Sequence, residues 1–305
     1  MNYVFTATAT DIQAVIDYYR DIVQDHQLEH VLFLAKSEDI TATVFTSGKV
    51  MLQGKAARDD YLMFSEIIGF TPDTGVVPKP KDHDQPFPPE KKVRAIGSDE
   101  VGTGDFFGPV IVCAVYIKTD DYAYLTSIGV RDSKKMTDEA IVATAAKLKA
   151  RLSYQLLVTD NKKYNDLTRL GFNMNKIKAY LHNHAILKLA AKHKGHVDKV
   201  IIDEFCSREH YFQYLSGKEV YENITFATGA EAKFLSVAAA SIIARDAFIA
   251  EMQALNRKVG INLPFGASVA VDLIGKRIAL EKGFSIFEEI AKTNFKNLDK
   301  IKSMM

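Results

Sequence analysis

The stretch RAIGSDEVGTGDFFGPVIVCAVYI, residues 94–117, decides how the rest of the chain is read. Residues 94–99 and 108–117 are apolar runs of the length and composition of buried strands. The connection between them is punctuated by Gly102 and Gly104, which let the backbone turn sharply and approach a ligand closely. Two acids, Asp99 and Glu100, stand where the first run ends. A third apolar run, KVIID at 199–203, again ends on an acid, Asp203. Helical spacing is expected over 138–152, 175–193 and 234–255, between and after these runs. Strands alternating with helices predict an α/β domain over 93–305 with a substantially parallel sheet.

Upstream the pattern differs. Ile12, Val15, Ile16, Tyr19 and Ile22 predict a helix over 10–25, capped by Thr10 or Asp11. β-rich runs at 31–35, 41–46 and 50–53 follow, with Ser47-Gly48 as a tight turn between the last two, and a second helix is expected over 56–68. Residues 1–70 thus predict a small α+β domain. The segment TPDTGVVPKPKDHDQPFPPEKK, 71–92, is rich in Pro and Asp, lacks apolar periodicity and is expected to be a linker.

Charge is split along the chain. Residues 1–92 hold 9 Lys+Arg against 14 Asp+Glu, and the remainder 30 against 24, within a net charge of +1. The basic later part suits a polyanionic substrate. Cys113 and Cys206 are far apart and in no metal-type spacing, which fits a reducing compartment. The start, MNYVFTATATDIQ, shows no signal-peptide pattern, and no apolar run nears the roughly 20 residues that span a bilayer. A cytoplasmic, soluble monomer without membrane contact is the expectation.

The chemistry rests on carboxylates. Adjacent strand residues point to opposite faces, so Asp99 and Glu100 are not both expected in the core. Ligands of open α/β sheets bind beyond the carboxyl ends of strands, which makes Asp99, Glu100 and Asp203 candidates for one site. Glu231 precedes a helix rich in small residues, Ala238, Ala239, Ala240, Ser241 and Ala244, whose close approach to the sheet would bring that acid to the strand ends. Clustered carboxylates repel unless a cation neutralises them, and oxygen-only ligands select hard ions, Mg²⁺ or Mn²⁺. Such clusters activate water for phosphodiester cleavage. Taken singly, each acid reads first as a solvated strand end or helix cap, and it is the three together that favour a site.

The run Gly97-Ser-Asp-Glu-Val-Gly-Thr-Gly-Asp-Phe-Phe-Gly-Pro109 closely resembles the first motif of bacterial ribonuclease HIII, a type 2 ribonuclease H family. Arg131-Asp-Ser-Lys-Lys-Met-Thr-Asp138 resembles its DSKK segment, and Asn173-Met-Asn-Lys-Ile-Lys-Ala-Tyr-Leu-His-Asn183 its Asn/Lys-rich helix. Ile202-Asp203, Ala230-Glu231 and Ser236-Val-Ala-Ala-Ala-Ser-Ile-Ile-Ala-Arg245 resemble its central aspartate, final acid and last helix. Thr43-Val-Phe-Thr-Ser-Gly-Lys-Val-Met-Leu-Gln-Gly54 resembles the small TATA-binding-protein-like domain that the family carries in front.

The resemblance implies a ribonuclease H-like fold, a five-stranded mixed sheet flanked by helices. It implies Asp99, Glu100, Asp203 and Glu231 as catalytic metal ligands for Mg²⁺ or Mn²⁺. The substrate would be an RNA–DNA hybrid, cut in its RNA strand to leave 5′-phosphate and 3′-hydroxyl ends. Gly102, Thr103 and Gly104 would meet RNA 2′-hydroxyls, and Ser133, Lys134 and Lys135 the phosphates. Thr103 in place of the Arg of ribonuclease HII implies cleavage of RNA stretches over single embedded ribonucleotides. Two departures stand out: Gly229 replaces a frequent Lys, and the amino-terminal part is acidic, so binding there would fall to Lys49, Met51 and Gln53, which alternate with inward Val50 and Leu52. The alternatives are a DNA nuclease or resolvase of the same fold, and an inactive hybrid-binding protein.

Other signals carry less. The Gly97-to-Thr103 spacing approaches a P-loop but lacks its Lys, and Gly102, Gly104 and Gly108 miss the dinucleotide spacing. His26-Gln-Leu-Glu-His30 matches a zinc-protease string that needs one continuous helix, and β-rich sequence follows at once. His182, His184, His193 and His196 read as helix-surface residues, and Asp246 as an exposed partner of Arg245.

Overall fold

The computed structural model describes residues 2–26, 28–37, 39–54, 57–68, 92–131 and 133–305. The chain divides into two compact units, Met1–Lys81 and Asp82–Met305. The linker expected over 71–92 lies, apart from Lys92, outside the described residues.

The first unit is a four-stranded antiparallel sheet in the order β1-β4-β3-β2, with β1 Asn2–Thr6, β2 Val31–Lys36, β3 Thr41–Phe45 and β4 Lys49–Gln53. Two helices, α1 Ala9–Tyr19 and α2 Ala57–Ile68, accompany it. Ala57, Tyr61, Phe64 and Ser65 are buried at helical spacing along α2, and Phe5 of β1 packs against Tyr61 and Phe64. In β4, Val50 and Leu52 are fully buried while Lys49, Met51 and Gln53 face outward, as the alternation predicts. The cap of α1 is Thr8, in a reciprocal capping box with Asp11, and neither Thr10 nor Asp11 is the cap residue itself. The helix ends at Tyr19, followed by one 3₁₀ turn to Ile22, so His26 and His30 share no helix.

The second unit holds a five-stranded sheet in the order β7-β6-β5-β8-β9, built from β5 Ala95–Val101, β6 Val110–Ile117, β7 Ser153–Thr159, β8 Lys199–Asp203 and β9 Ile224–Ala227. The sheet is mixed, not substantially parallel. Pairs β5–β6 and β6–β7 are antiparallel, and β5–β8 and β8–β9 parallel. The eight residues between β5 and β6 are too few for a crossover, so those strands must return antiparallel.

Helices cover both faces: α3 Asp121–Ser127, α4 Asp138–Arg151, α5 Asn161–Arg169, α6 Met174–Lys192, α7 Arg208–Tyr214 and α8 Leu235–Val259, then α9 Val269–Lys282, the single turn α10 Phe287–Ile290, and α11 Lys296–Ser303. One core joins Ile111, Cys113, Val115 and Ile201 to α4 and α8. The other joins Ile96, Ala114, Tyr116, Val200 and Ile202 to Ala185, Ile186 and Leu189 of α6. Strand alternation thus sorts residues 95, 97 and 99 to the α8 side and 96, 98 and 100 to the α6 side. Gly97 allows α8 to lie directly on β5: a Cβ there would stand 2.3 Å from the backbone of Ser236 and Val237. Among the described residues no helix is long and apolar enough to cross a membrane.

Candidate active site

Asp99 and Glu100 are the two residues before Val101, the last of β5, and Asp203 closes the parallel neighbour β8 one step beyond the Ser98–Ile202 pair. Both acids of β5 are largely covered: Asp99 is 6% exposed and the Glu100 side chain 12%. The expectation that only one could lie inside fails because the two sheet faces each carry a helix layer. Glu231 lies in a short 3₁₀ turn, residues 230–232, after β9 and is 3% exposed. The amide of Ala230 donates to Asp203 Oδ1 at 2.8 Å, which ties that turn to the end of β8.

These acids border one basin of about 400 Å³. Asp99, Glu100, Thr103, Asp105, Asp203, Ser133 and Lys134 line it, with Ser241, Arg245 and Phe248 from α8 and Phe265 from the loop after it. Glu231 abuts the basin through three contacts on Oε atoms, from Ser133 Oγ at 3.2 Å, Ser241 Oγ at 3.0 Å and the Lys134 ammonium. Lys135 is exposed and does not line the basin. Gly102 takes φ +86° beneath Phe248 and Pro109, where a Cβ would meet the Pro109 carbonyl oxygen at 2.1 Å. Gly104 is exposed, with nothing within 4 Å of a Cβ. Gly229, also left-handed, has open space around it.

Electrostatics separate Asp99, Glu100 and Asp203. Burial, then the neighbouring Glu100 charge, drives the Asp99 carboxyl well above its ordinary range; a hydrogen bond from Ser241 opposes this, and Glu231 and Asp203 add to it. Burial also raises Asp203, against the Ala230 amide and with help from Glu100 and Glu231. For Glu100, burial acts upward, but the His182 hydrogen bond and charge and the Lys178 ammonium outweigh it, leaving the group below its usual value. Glu100 Oε1 accepts from Lys178 Nζ at 3.0 Å, Oε2 meets His182 Nε2 at 2.9 Å, and His182 Nδ1 meets Ser98 Oγ at 2.7 Å.

Lys178 lies in the Asn/Lys-rich helix with no role expected for it, and His182, expected on the helix surface, is fully buried. A stripe along α6, Lys178, His182, Ala185, Ile186 and Leu189, is buried at helical spacing, and that spacing was the available signal. Asp246 likewise differs from expectation. It is partly buried and pairs with Lys149 at 2.5 Å, while Arg245 reaches Asp138 at 2.9 Å and the Ser133 carbonyl at 3.0 Å, bracing the turn that carries Lys134. His184 and His196 are exposed and His193 partly so. The β5–β6 turn is held from below by Lys292, wholly buried, which donates to the carbonyls of Asp105 at 2.8 Å and Gly108 at 2.5 Å; burial pulls its pKa down to about 7.

Among the described residues no three Asp, Glu, His or Cys side chains converge as a ready cation cage, since each carboxylate is turned to a protein partner. The donor set nonetheless suits a hard divalent ion. It is all oxygen, and burial with mutual repulsion holds Asp99 and Asp203 in want of positive charge.

Comparison with known proteins gives a consistent picture. A family described as Ribonuclease HII matches residues 96–298, and one described as a domain of unknown function (DUF3378) matches residues 2–60. Ribonuclease HIII of Phytoplasma mali (strain AT) is 38% identical over 302 residues, 98% of each chain. Ribonuclease HIII of Geobacillus sp. (strain WCH70) is 39% identical over 302 residues, covering 98% of this chain and 97% of that one. The crystal structure of Bst-RNase HIII in complex with Mn²⁺ superposes with a TM-score of 0.67 at 36% identity, over 100% of this chain and 99% of that one. Aquifex aeolicus RNase H3, at 22% identity and a TM-score of 0.55 over 95% and 99% of the two chains, shares the fold.

Proposed function

The chain belongs to the ribonuclease HIII family and is a ribonuclease H enzyme, and from that premise we propose that it cuts the RNA strand of RNA–DNA hybrids by two-metal hydrolysis, leaving 5′-phosphate and 3′-hydroxyl ends. The observation that supports the reading is that Asp99, Glu100 and Asp203, from two neighbouring strand ends, line one basin, and that Glu231 lies behind its wall, bonded to the lining residues Ser133 and Ser241. These four residues would hold Mg²⁺ or Mn²⁺; a relative binds Mn²⁺. When bound, such ions lower the pKa of water and stabilise a leaving oxygen.

The chain's own residues supply the rest. The Lys134 side chain, 75% exposed, can move from Glu231 to a substrate phosphate, whereas Ser133 keeps its place beneath it. Lys135, beside it, would reach phosphates outside the basin. Gly102, Thr103 and Gly104 would present backbone groups to the 2′-hydroxyls, the feature that separates RNA from DNA. The outward face of the amino-terminal sheet, with Lys49, Met51 and Gln53, would bind the hybrid. A chain lacking residues 1–92 is then expected to bind hybrid more weakly; unchanged affinity would remove that assignment.

The deciding experiment offers three labelled duplexes in Mg²⁺: an RNA–DNA hybrid, all-DNA, and DNA with one embedded ribonucleotide. Cleavage confined to the RNA strand of the hybrid, with poor cutting of the single-ribonucleotide duplex, is the expected result. Cutting of all-DNA would make the protein a DNA nuclease, and retention of hybrid without turnover a binding protein.

A further inference from the structure

The acids of the basin face two lysines of opposite character. Lys134 is three-quarters exposed and rests on Glu231 from the solvent side. Lys178 is 7% exposed, and its ammonium lies between Glu100 Oε1 at 3.0 Å and the ring of Phe205 at 4.3 Å. Phe205 also stacks on His182, with ring centroids 5.2 Å apart, so the aromatic ring closes the far side of the pair. An exposed lysine can swing into water when a cation or phosphate arrives. A lysine with a side chain 9% exposed has no such path, and leaving Glu100 would strand an ammonium in an apolar layer. Its positive charge therefore stays beside Glu100 whatever else enters the basin.

We propose that Lys178 is a built-in counter-cation that sets how tightly the carboxylate basin takes a divalent ion. The inference rests on the reading of that basin as a cation site. Lys178 does two opposed things there. It neutralises Glu100 in the cation-free protein, so that the buried acids can coexist. It also subtracts one unit of attraction from the arriving ion, and a like charge a few ångströms away across a partly wetted site costs on the order of tenfold in affinity. His182 fixes the second oxygen of Glu100 on the same side, which keeps the carboxylate in place whether or not an ion is bound.

The test is calorimetric titration of Mn²⁺ alone, without nucleic acid, into the full chain carrying Lys178→Gln, Lys178→Arg or Asp99→Asn, beside wild type. Gln can still donate to Glu100 but carries no charge. It is expected to bind Mn²⁺ about tenfold more tightly, and Arg to stay within about twofold of wild type. Unchanged or weaker binding by the Gln variant overturns the proposal, because a purely structural lysine would give that result. Asp99→Asn separates the two readings: if it loses Mn²⁺ binding, the basin reading stands independently of Lys178, and if it binds like wild type, the basin reading itself fails. Should circular dichroism show the Gln variant unfolded without cation, its refolding is titrated with Mn²⁺: refolding at or below the Mn²⁺ concentrations that saturate wild type bears out the role of the charge, and no refolding at any Mn²⁺ concentration overturns the proposal.

Discussion

Asparagine at position 99 is expected to lower hybrid cleavage in Mg²⁺ by about a thousandfold or more, equivalent to about 4 kcal/mol of barrier. The substitution keeps the shape of a side chain that is 6% exposed, so packing against α8 is preserved. What it removes is the charge that burial and the nearby Glu100 make most costly to hold. The sign of the stability effect follows. The folded-state pKa of Asp99 lies above its unfolded value, so its ionised form destabilises the cation-free protein at neutral pH. That penalty vanishes below the unfolded carboxylate pKa and grows as pH rises toward the folded one. Cation-free Asp99→Asn should therefore melt at or above the wild-type temperature at pH 7, and should gain less than wild type on mild acidification. Loss of turnover joined to undiminished thermal stability marks a ligand of the reacting ion. Near-wild-type cleavage by the variant would remove Asp99 from the chemistry.

Alanine at position 97 should be among the most damaging single methyl groups in the catalytic unit. Its Cβ would lie 2.3 Å from the Ser236 carbonyl carbon and the Val237 amide nitrogen, backbone atoms that no rotamer change can move. Relief requires α8 to lift from β5, opening the core that contains Val237, Ala240 and Ala244. A loss of about 3 kcal/mol in urea unfolding is expected, at the upper end for overpacking. Gly104→Ala is the control, because a Cβ there meets nothing within 4 Å. Equal stability of the two variants would show that helix and strand are not in the contact described.

Much of this arrangement was legible from the sequence. The apolar runs that became β5, β6 and β8 announce themselves because both sheet faces are buried, and the small residues of α8 announce a close packing that Gly97 completes. Strands β7, β9 and β1 were not legible, although the edge strand β2 was. β7 is half-exposed along most of its length, β9 has four residues, and β1 opens the chain. The short polar helix α11 buries Asn297 and Ile301, with Leu298 partly covered, too little for a periodic signal. Among the candidate site residues, Asp99, Glu100 and Asp203 stand out in the sequence because each ends an apolar run. Lys178 and His182 were missed because polar residues on a long helix are ordinarily its wet side, and only their register with Ala185, Ile186 and Leu189 sets them inside.

Asp99 and Glu100 are chain neighbours, yet they answer to different halves of the molecule. One leans on the layer of α8, together with Glu231; the other is anchored to α6 through Lys178 and His182. The basin is in this sense a seam where two separately packed cores each contribute a jaw. A substitution deep under α6 can shift Glu100 while leaving Asp99 and Glu231 in place, and one under α8 does the reverse. Each jaw is thus packed from its own side, which puts two distinct sets of core residues behind the proposed reaction centre.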